Sequence, residues 1–306
     1  MTPVESFHDR GIRGGSMHWN DRVYGEVSID DPKILDLIAC PTFQRLKAIK
    51  QAGPSAFAFP FKTVTRFEHS LGVFLLLRRL GAGIQEQIAG LLHDLSHTAF
   101  SHAVDFVIST DQQDHHESLK PIFLAKPDII AAIGALGFET GDFLDDARYP
   151  LLERPIPFLC ADRIDYFLRD GIACGVLSQG DASRILADLS VEAATIVFEN
   201  RAIAEEAVAT FAEMNRDWWA SETEAYLYNT FADVLREGFR RGCLTKTDLL
   251  EDDDFVLRKL EAAGSPLIDE KLDLLRDFRP ERLVGFVPKV IPKMRWIEPP
   301  LRTGIH

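Results

Sequence analysis

The stretch Leu91-Leu92-His93-Asp94-Leu95-Ser96-His97-Thr98-Ala99-Phe100-Ser101-His102 gathers three histidines and an aspartate at the end of an apolar run. From Ile84 the apolar residues recur at helical spacing, so the adjacent His93 and Asp94 fall close to where that helix should end. Neighbouring helical positions diverge by about 100°, yet an imidazole and a shorter carboxylate at a helix end can converge on one ion. His97 and His102 extend the pair into H-D-x-x-H-x-x-x-x-H. A lone His-Asp pair is a common chance match, and the longer pattern is a much stronger signal.

Six of the nine histidines (His69, His93, His97, His102, His115 and His116) lie between His69 and His116. Histidine is the commonest metal-ligating side chain and titrates near neutrality, so the cluster points to a metal site, acid-base chemistry, or both. The four cysteines (Cys40, Cys160, Cys174 and Cys243) show no C-x-x-C spacing, which leaves nitrogen and oxygen donors for the metal. Such donors suit Mn, Fe, Co, Ni or Zn and point away from a thiolate-rich structural zinc site.

Between Asp36 and Glu68 there is no acidic residue, while Arg45, Lys47, Lys50, Lys62 and Arg66 are basic. This segment abuts His69, and basic side chains beside a metal site are what phosphate oxygens require. Phosphate ester chemistry is the natural expectation.

The whole chain has 306 residues, 46% of them hydrophobic and 26% charged, with a net charge of −13. This composition fits a globular protein of one or two domains and excludes a disordered, collagen-like or disulfide-stapled chain. So acidic a total argues against strong nucleic-acid binding. No apolar run approaches the roughly 18 residues of a membrane span, so a soluble, cytoplasmic protein with no membrane partner is expected. The glycine-rich residues 1–16 read as a flexible leader.

Helical periodicity dominates beyond Pro32. Helices are expected over Ser70–Leu80, Ile84–Leu95, His116–Leu124, Pro127–Leu136 and Phe158–Arg169, with a long helical stretch from Glu205 to Arg240 and a shorter one over Asp252–Ala263. One β-hairpin is expected, pairing Thr195–Phe198 with Ala202–Ile203 across Glu199-Asn200-Arg201. The fold class is therefore mainly α, with a catalytic core over 17–190 and a mainly helical C-terminal extension over 191–306.

Three motifs, Arg66-Phe67-Glu68-His69-Ser70-Leu71-Gly72-Val73, His93 to His102, and Asp162-Arg163-Ile164-Asp165-Tyr166-Phe167-Leu168-Arg169-Asp170, together resemble the HD-domain phosphohydrolases. The resemblance is closest to the branch of deoxynucleoside triphosphate triphosphohydrolases that includes the sterile-alpha-motif/HD-domain enzymes. Pro41 to Gln51 and Asn20 to Gly25 agree with it. It implies an HD-domain helical core and a divalent metal ion, with Mg as an optional second ion, held by His69, His93, Asp94 and Asp162. His97, His102 and His116 match the family's catalytic histidines, with Glu117 beside His116 and Asp105 close to His102. For substrate, the resemblance implies Gln51, Arg66, Arg163, Tyr166 and Asp170, Arg163 standing where a lysine is common. A further phosphate-contacting arginine has no aligned counterpart, Arg216 being the nearest.

The resemblance thus implies a metal-dependent nucleotide phosphohydrolase that cleaves deoxynucleoside triphosphates to deoxynucleoside and triphosphate. Its alternatives are a phosphomonoesterase or pyrophosphohydrolase on another nucleotide, or a weakly active nucleotide sensor. The expected partner is the nucleotide substrate, with a homo-oligomer left open.

Overall fold

The computed structural model describes residues 12–13, 15–108 and 115–303. Helices dominate, as expected, and the described strands form one three-stranded and one two-stranded antiparallel sheet. The centre is helix Arg66–Arg79, capped by Thr65, whose hydroxyl accepts from the Glu68 amide while the Glu68 carboxylate reaches back to the Thr65 amide. Every residue from Arg66 to Leu77 is buried. A helix buried all round shows little amphipathic signature, and this one is enclosed partly by Ile84–Leu92 and Ala161–Ala173.

Two apolar clusters hold the chain together. One gathers the first sheet and the central helices with Phe211 and Met214 from the second half. The other joins Ala99–Phe106 to Phe231, Leu235, Val256, Leu260, Ile268 and Leu272. Core side chains thus interlock across the boundary expected at residue 190. A buried carboxylate reinforces this, because Asp253 accepts from the backbone amides of both Lys50 and Phe100. Phe100 and Ser101 have φ of 60° and 54°, a conformation disfavoured for side-chain-bearing residues, and Asp253 helps hold it next to the histidines.

Three expectations need correction. The leader does not extend to residue 16: residues 1–11 and 14 lie outside the described residues, but Ile12–Arg13 pairs with Ser16–Asp21, and that strand pairs with Gly25–Ile29. The inward positions of the middle strand are Met17, Trp19 and Asp21, and the aspartate breaks the apolar alternation that would have announced it. The hairpin partner lies upstream, at Leu189–Glu192, across Ala193 and Ala194, both at positive φ. Asn200 instead caps helix Arg201–Met214 through the Ala202 amide, asparagine serving turns and helix caps equally. Finally, the long helical stretch is interrupted by a π turn, Asn215–Trp219, before Ser221 caps Glu222–Arg241.

Candidate functional site

Three helix ends deliver the first cluster. The first turn of Arg66–Arg79 carries His69, the end of Ile84–Leu92 carries His93 and Asp94, and the first turn of Ala161–Ala173 carries Asp162. The His69 and His93 Nε2 atoms stand 3.2 Å apart. Asp162 Oδ1 lies 2.9 Å from the first and 3.6 Å from the second, and Asp94 approaches them at 3.7 and 3.6 Å. The remaining ring nitrogens are engaged elsewhere, His93 Nδ1 donating to the Gly90 carbonyl at 2.8 Å and His69 Nδ1 lying 2.8 Å from Asp165 Oδ2. A carbonyl can only accept, so His93 Nδ1 holds a proton, and it is Nε2 that turns toward the cluster. Two imidazole nitrogens gathered with Asp94, and Asp162 beside both imidazoles, suit a divalent ion.

The same grouping is visible electrostatically. Burial opposes charge on His69, but hydrogen bonds to Asp162 and Asp165 and the charge of Asp94 outweigh it and push the pKa up to about 10. Burial also opposes the Asp94 charge, yet Arg66, His93 and His97 hold its carboxyl well below the usual range. A cation is therefore strongly favoured here, and in the bare cluster a proton supplies it.

Asp94 links this cluster to a second one. His97 Nε2 lies 3.1 Å from Asp94 Oδ1, and the His97 ring stacks on His116 with centroids 4.0 Å apart. His102 stands edge-on to both, its Nδ1 3.0 Å from Asp105 Oδ2. Glu117 lies 3.4 Å from His116. Burial and the positive charge of Arg66 push the pKa values of His97 and His102 well below normal, so both are neutral at pH 7. His115 points elsewhere, toward Ser118.

Both clusters open into one cavity of about 320 Å³, which Gln51, Arg66, Arg163, Tyr166 and Asp170 also line. The expected substrate residues differ in what they have free. Gln51 Oε1 is buried without a partner, whereas Asp170 accepts from Trp219 Nε1 at 2.9 Å. Tyr166 packs edge-on against Trp219. Arg66 is paired with Asp94 at 2.8 Å and donates to Ser101 Oγ at 3.0 Å. Glu68, two residues further on, is bound to Arg22 instead. Arg163 donates to the carbonyls of Phe158 and Arg154, bracing the approach to its own helix. Arg216 pairs with Asp217 at the surface and is not among the residues lining the cavity.

Sequence reading missed several contributors. Asp165 lies within the quoted motif, and its placement three residues after Asp162 was the signal available. Fully buried Arg169 binds both Asp165 and Asp21. Glu153, whose carboxyl burial and Asp162 raise to about 8, also lines the cavity. So do Glu224, the buried partner of Lys62 in the basic segment, and, from the C-terminal tail, Lys293 and Arg295.

Comparison with known proteins accords with this arrangement. The HD domain family matches residues 66–136. The chain is 38% identical over 265 residues to the uncharacterized protein YdhJ of Bacillus subtilis, covering 86% of this chain and 80% of that one. It is 34% identical over 236 residues to the metal-dependent phosphohydrolase cns2 of Cordyceps militaris, covering 74% and 67%. The chain belongs to the HD-domain family of metal-dependent phosphohydrolases. Within reach of this family is also the deoxynucleoside triphosphate triphosphohydrolase SAMHD1 homolog of Dictyostelium discoideum, 27% identical over 332 residues, with 94% of this chain and 64% of that protein covered. Among solved structures, a hypothetical protein from Aquifex aeolicus shares the fold with a TM-score of 0.66 at 24% identity, covering 84% of this chain and 74% of that one. As an HD-domain phosphohydrolase the chain is a metal-dependent hydrolase that uses a divalent ion. Among its described residues no helix is long and apolar enough to cross a membrane.

Proposed function

We propose that this HD-domain enzyme hydrolyses deoxynucleoside triphosphates to deoxynucleoside and triphosphate, with His69, His93, Asp94 and Asp162 as its metal ligands. The observation that carries the reading is the bridge through Asp94, which joins the donor cluster to His97, His102 and His116 in one cavity of small-molecule size. The triphosphohydrolase-named relative adds support for the substrate class.

A divalent cation held by those four ligands would supply Lewis-acid charge stabilisation and lower the pKa of a water. Nitrogen donors favour a transition ion over Mg. The chain's own residues bind substrate and move protons. Asp105 engages His102 Nδ1, which leaves Nε2 to serve the 5′ oxygen as its bond to the α-phosphorus breaks. Burial first, and then the charges of Arg66 and Arg295, keep His102 neutral in the free protein; an incoming polyphosphate offsets those charges and favours the protonated form. His97 and His116, stacked together with Glu117 alongside, position the phosphates. Gln51 offers its unpartnered carbonyl to a sugar hydroxyl, Tyr166 and Asp170 close on the sugar, and Arg163 acts by bracing the site.

The test is a nucleotide panel assayed with Mn, Fe, Co, Ni, Zn and Mg, with products separated by chromatography. Triphosphate release from deoxynucleoside triphosphates is expected. Orthophosphate release from monophosphates alone, or nucleotide binding without turnover under every metal, would overturn the reading.

A further inference from the structure

Five cationic side chains line the cavity, and their partners separate them into two groups. Lys62 is bound to Glu224 at 3.1 Å, Arg66 to Asp94 at 2.8 Å, and Arg163 to two backbone carbonyls with Glu153 at 3.7 Å. Lys293 and Arg295 differ. Among the described residues neither has a carboxylate within ion-pair distance, and the one side-chain bond of Arg295 runs to the Lys293 carbonyl at 3.1 Å.

Both residues come from the irregular C-terminal segment, which is fastened along its length. The buried Asn229 side chain accepts from the Lys289 and Val290 amides, each at 3.1 Å, and donates to the Val290 carbonyl. Asn215, at the start of the π turn, accepts from the Arg295 amide at 2.8 Å. Ile297 is buried in the core, the Glu298 amide donates to the Pro157 carbonyl, and Leu301 bridges to Phe198. A strap so tied holds its two cations over the cavity, where the charge of Arg295 bears on His102 and Tyr166. An uncommitted guanidinium and ammonium, in a cavity where Lys62 and Arg66 are paired with carboxylates and Arg163 is held by backbone carbonyls, form a site for an anion with several charges.

We propose that the C-terminal strap supplies the clamp for the polyphosphate chain, with Arg295 as the main contact to the phosphoryl groups beyond the scissile one and Lys293 as its auxiliary. This deepens the nucleotide reading above and rests on it for the identity of the substrate. It assigns specificity for phosphate number to a segment outside the HD motifs.

The test titrates inorganic tripolyphosphate and orthophosphate calorimetrically into the metal-loaded full chain, and into Arg295→Ala, Arg295→Gln and Lys293→Ala, with metal content and thermal midpoint measured on each. The strap docks through the Arg295 backbone amide, which every variant keeps. Charge-assisted hydrogen bonds of this kind predict tripolyphosphate binding weakened about 10–100-fold in both Arg295 variants and less in Lys293→Ala. Orthophosphate affinity and metal content should change little. Tripolyphosphate affinity equal to wild type in the Arg295 variants, or no tripolyphosphate binding by wild type, would overturn the proposal. Loss of tripolyphosphate binding in Arg295→Gln supports the clamp even if no deoxynucleoside triphosphate is turned over, an outcome that sinks only the substrate reading.

Discussion

Asp165 stands directly behind His69, its Oδ2 2.8 Å from Nδ1. The same carboxylate accepts from Arg169 at 2.9 and 3.0 Å and from the Tyr24 hydroxyl at 2.9 Å, with no exposed surface of its own. It therefore orients the imidazole, and Arg169 fixes the carboxylate in turn. Removing the partner behind a ligating histidine typically lowers metal affinity 10–100-fold. Asp165→Asn should show a loss of that size in a chelator competition, together with destabilisation of about 3–5 kcal/mol from the poorly compensated Arg169. Unchanged metal affinity would remove Asp165 from the site.

Gly72 is where the helix Arg66–Arg79 meets this network. A Cβ there would lie 2.0 Å from Asp165 Oδ1 and 2.2 Å from Arg169 Nη2. Because Arg169 is wholly buried and anchored at both ends, neither atom has room to yield. Gly72→Ala should cost roughly 1–3 kcal/mol or more and weaken metal binding along with stability. A thermal melt matching wild type would contradict the packing described here.

Arg66 is 5% exposed and bound to Asp94, which couples it to the proposed metal ligands. Arg66→Ala leaves a buried carboxylate without its cation, so stability should fall by about 3–5 kcal/mol and metal content should drop with turnover. Loss of turnover alone, with full metal content and an unchanged melt, would instead make Arg66 a pure substrate contact.

As a proposed metal ligand, His69 is a point where protons and metal compete. Its raised pKa means that the protonated form stabilises the metal-free fold fully below the unfolded value of roughly 6.5, and that this stabilisation is lost as pH rises through about 10. Metal must displace this proton, so the logarithm of metal affinity should rise by about one per pH unit up to about pH 10. Calorimetry at pH 7.5 in buffers of different ionisation enthalpy should register at least one proton released per ion bound. No release would show that His69 is already deprotonated or is not a ligand.

What was readable in the chain follows from what leaves a local trace. His93, Asp94, His97 and His102 are close in sequence, so their spacing alone raised a metal or acid-base site, and the cavity indeed gathers them. Asp162 came only from family resemblance, because a carboxylate on a helix face is ordinary by itself. Asp165 went unread for the same reason, its importance lying in contacts to His69 and Tyr24 far away in sequence. The first sheet was hidden by the inward Asp21, whose value appears only once Arg169 is in place. Lys293 and Arg295 sit in irregular chain with no period to read, and only the asparagine anchors bring them to the cavity.

The most direct test of the account is the fate of the water oxygen. With the Mn-loaded enzyme, a deoxynucleoside triphosphate and ¹⁸O-labelled water, attack at the α-phosphorus with loss of the 5′ oxygen predicts label in the released triphosphate and none in the deoxynucleoside. Label in orthophosphate or pyrophosphate, or in no product at all, would contradict it.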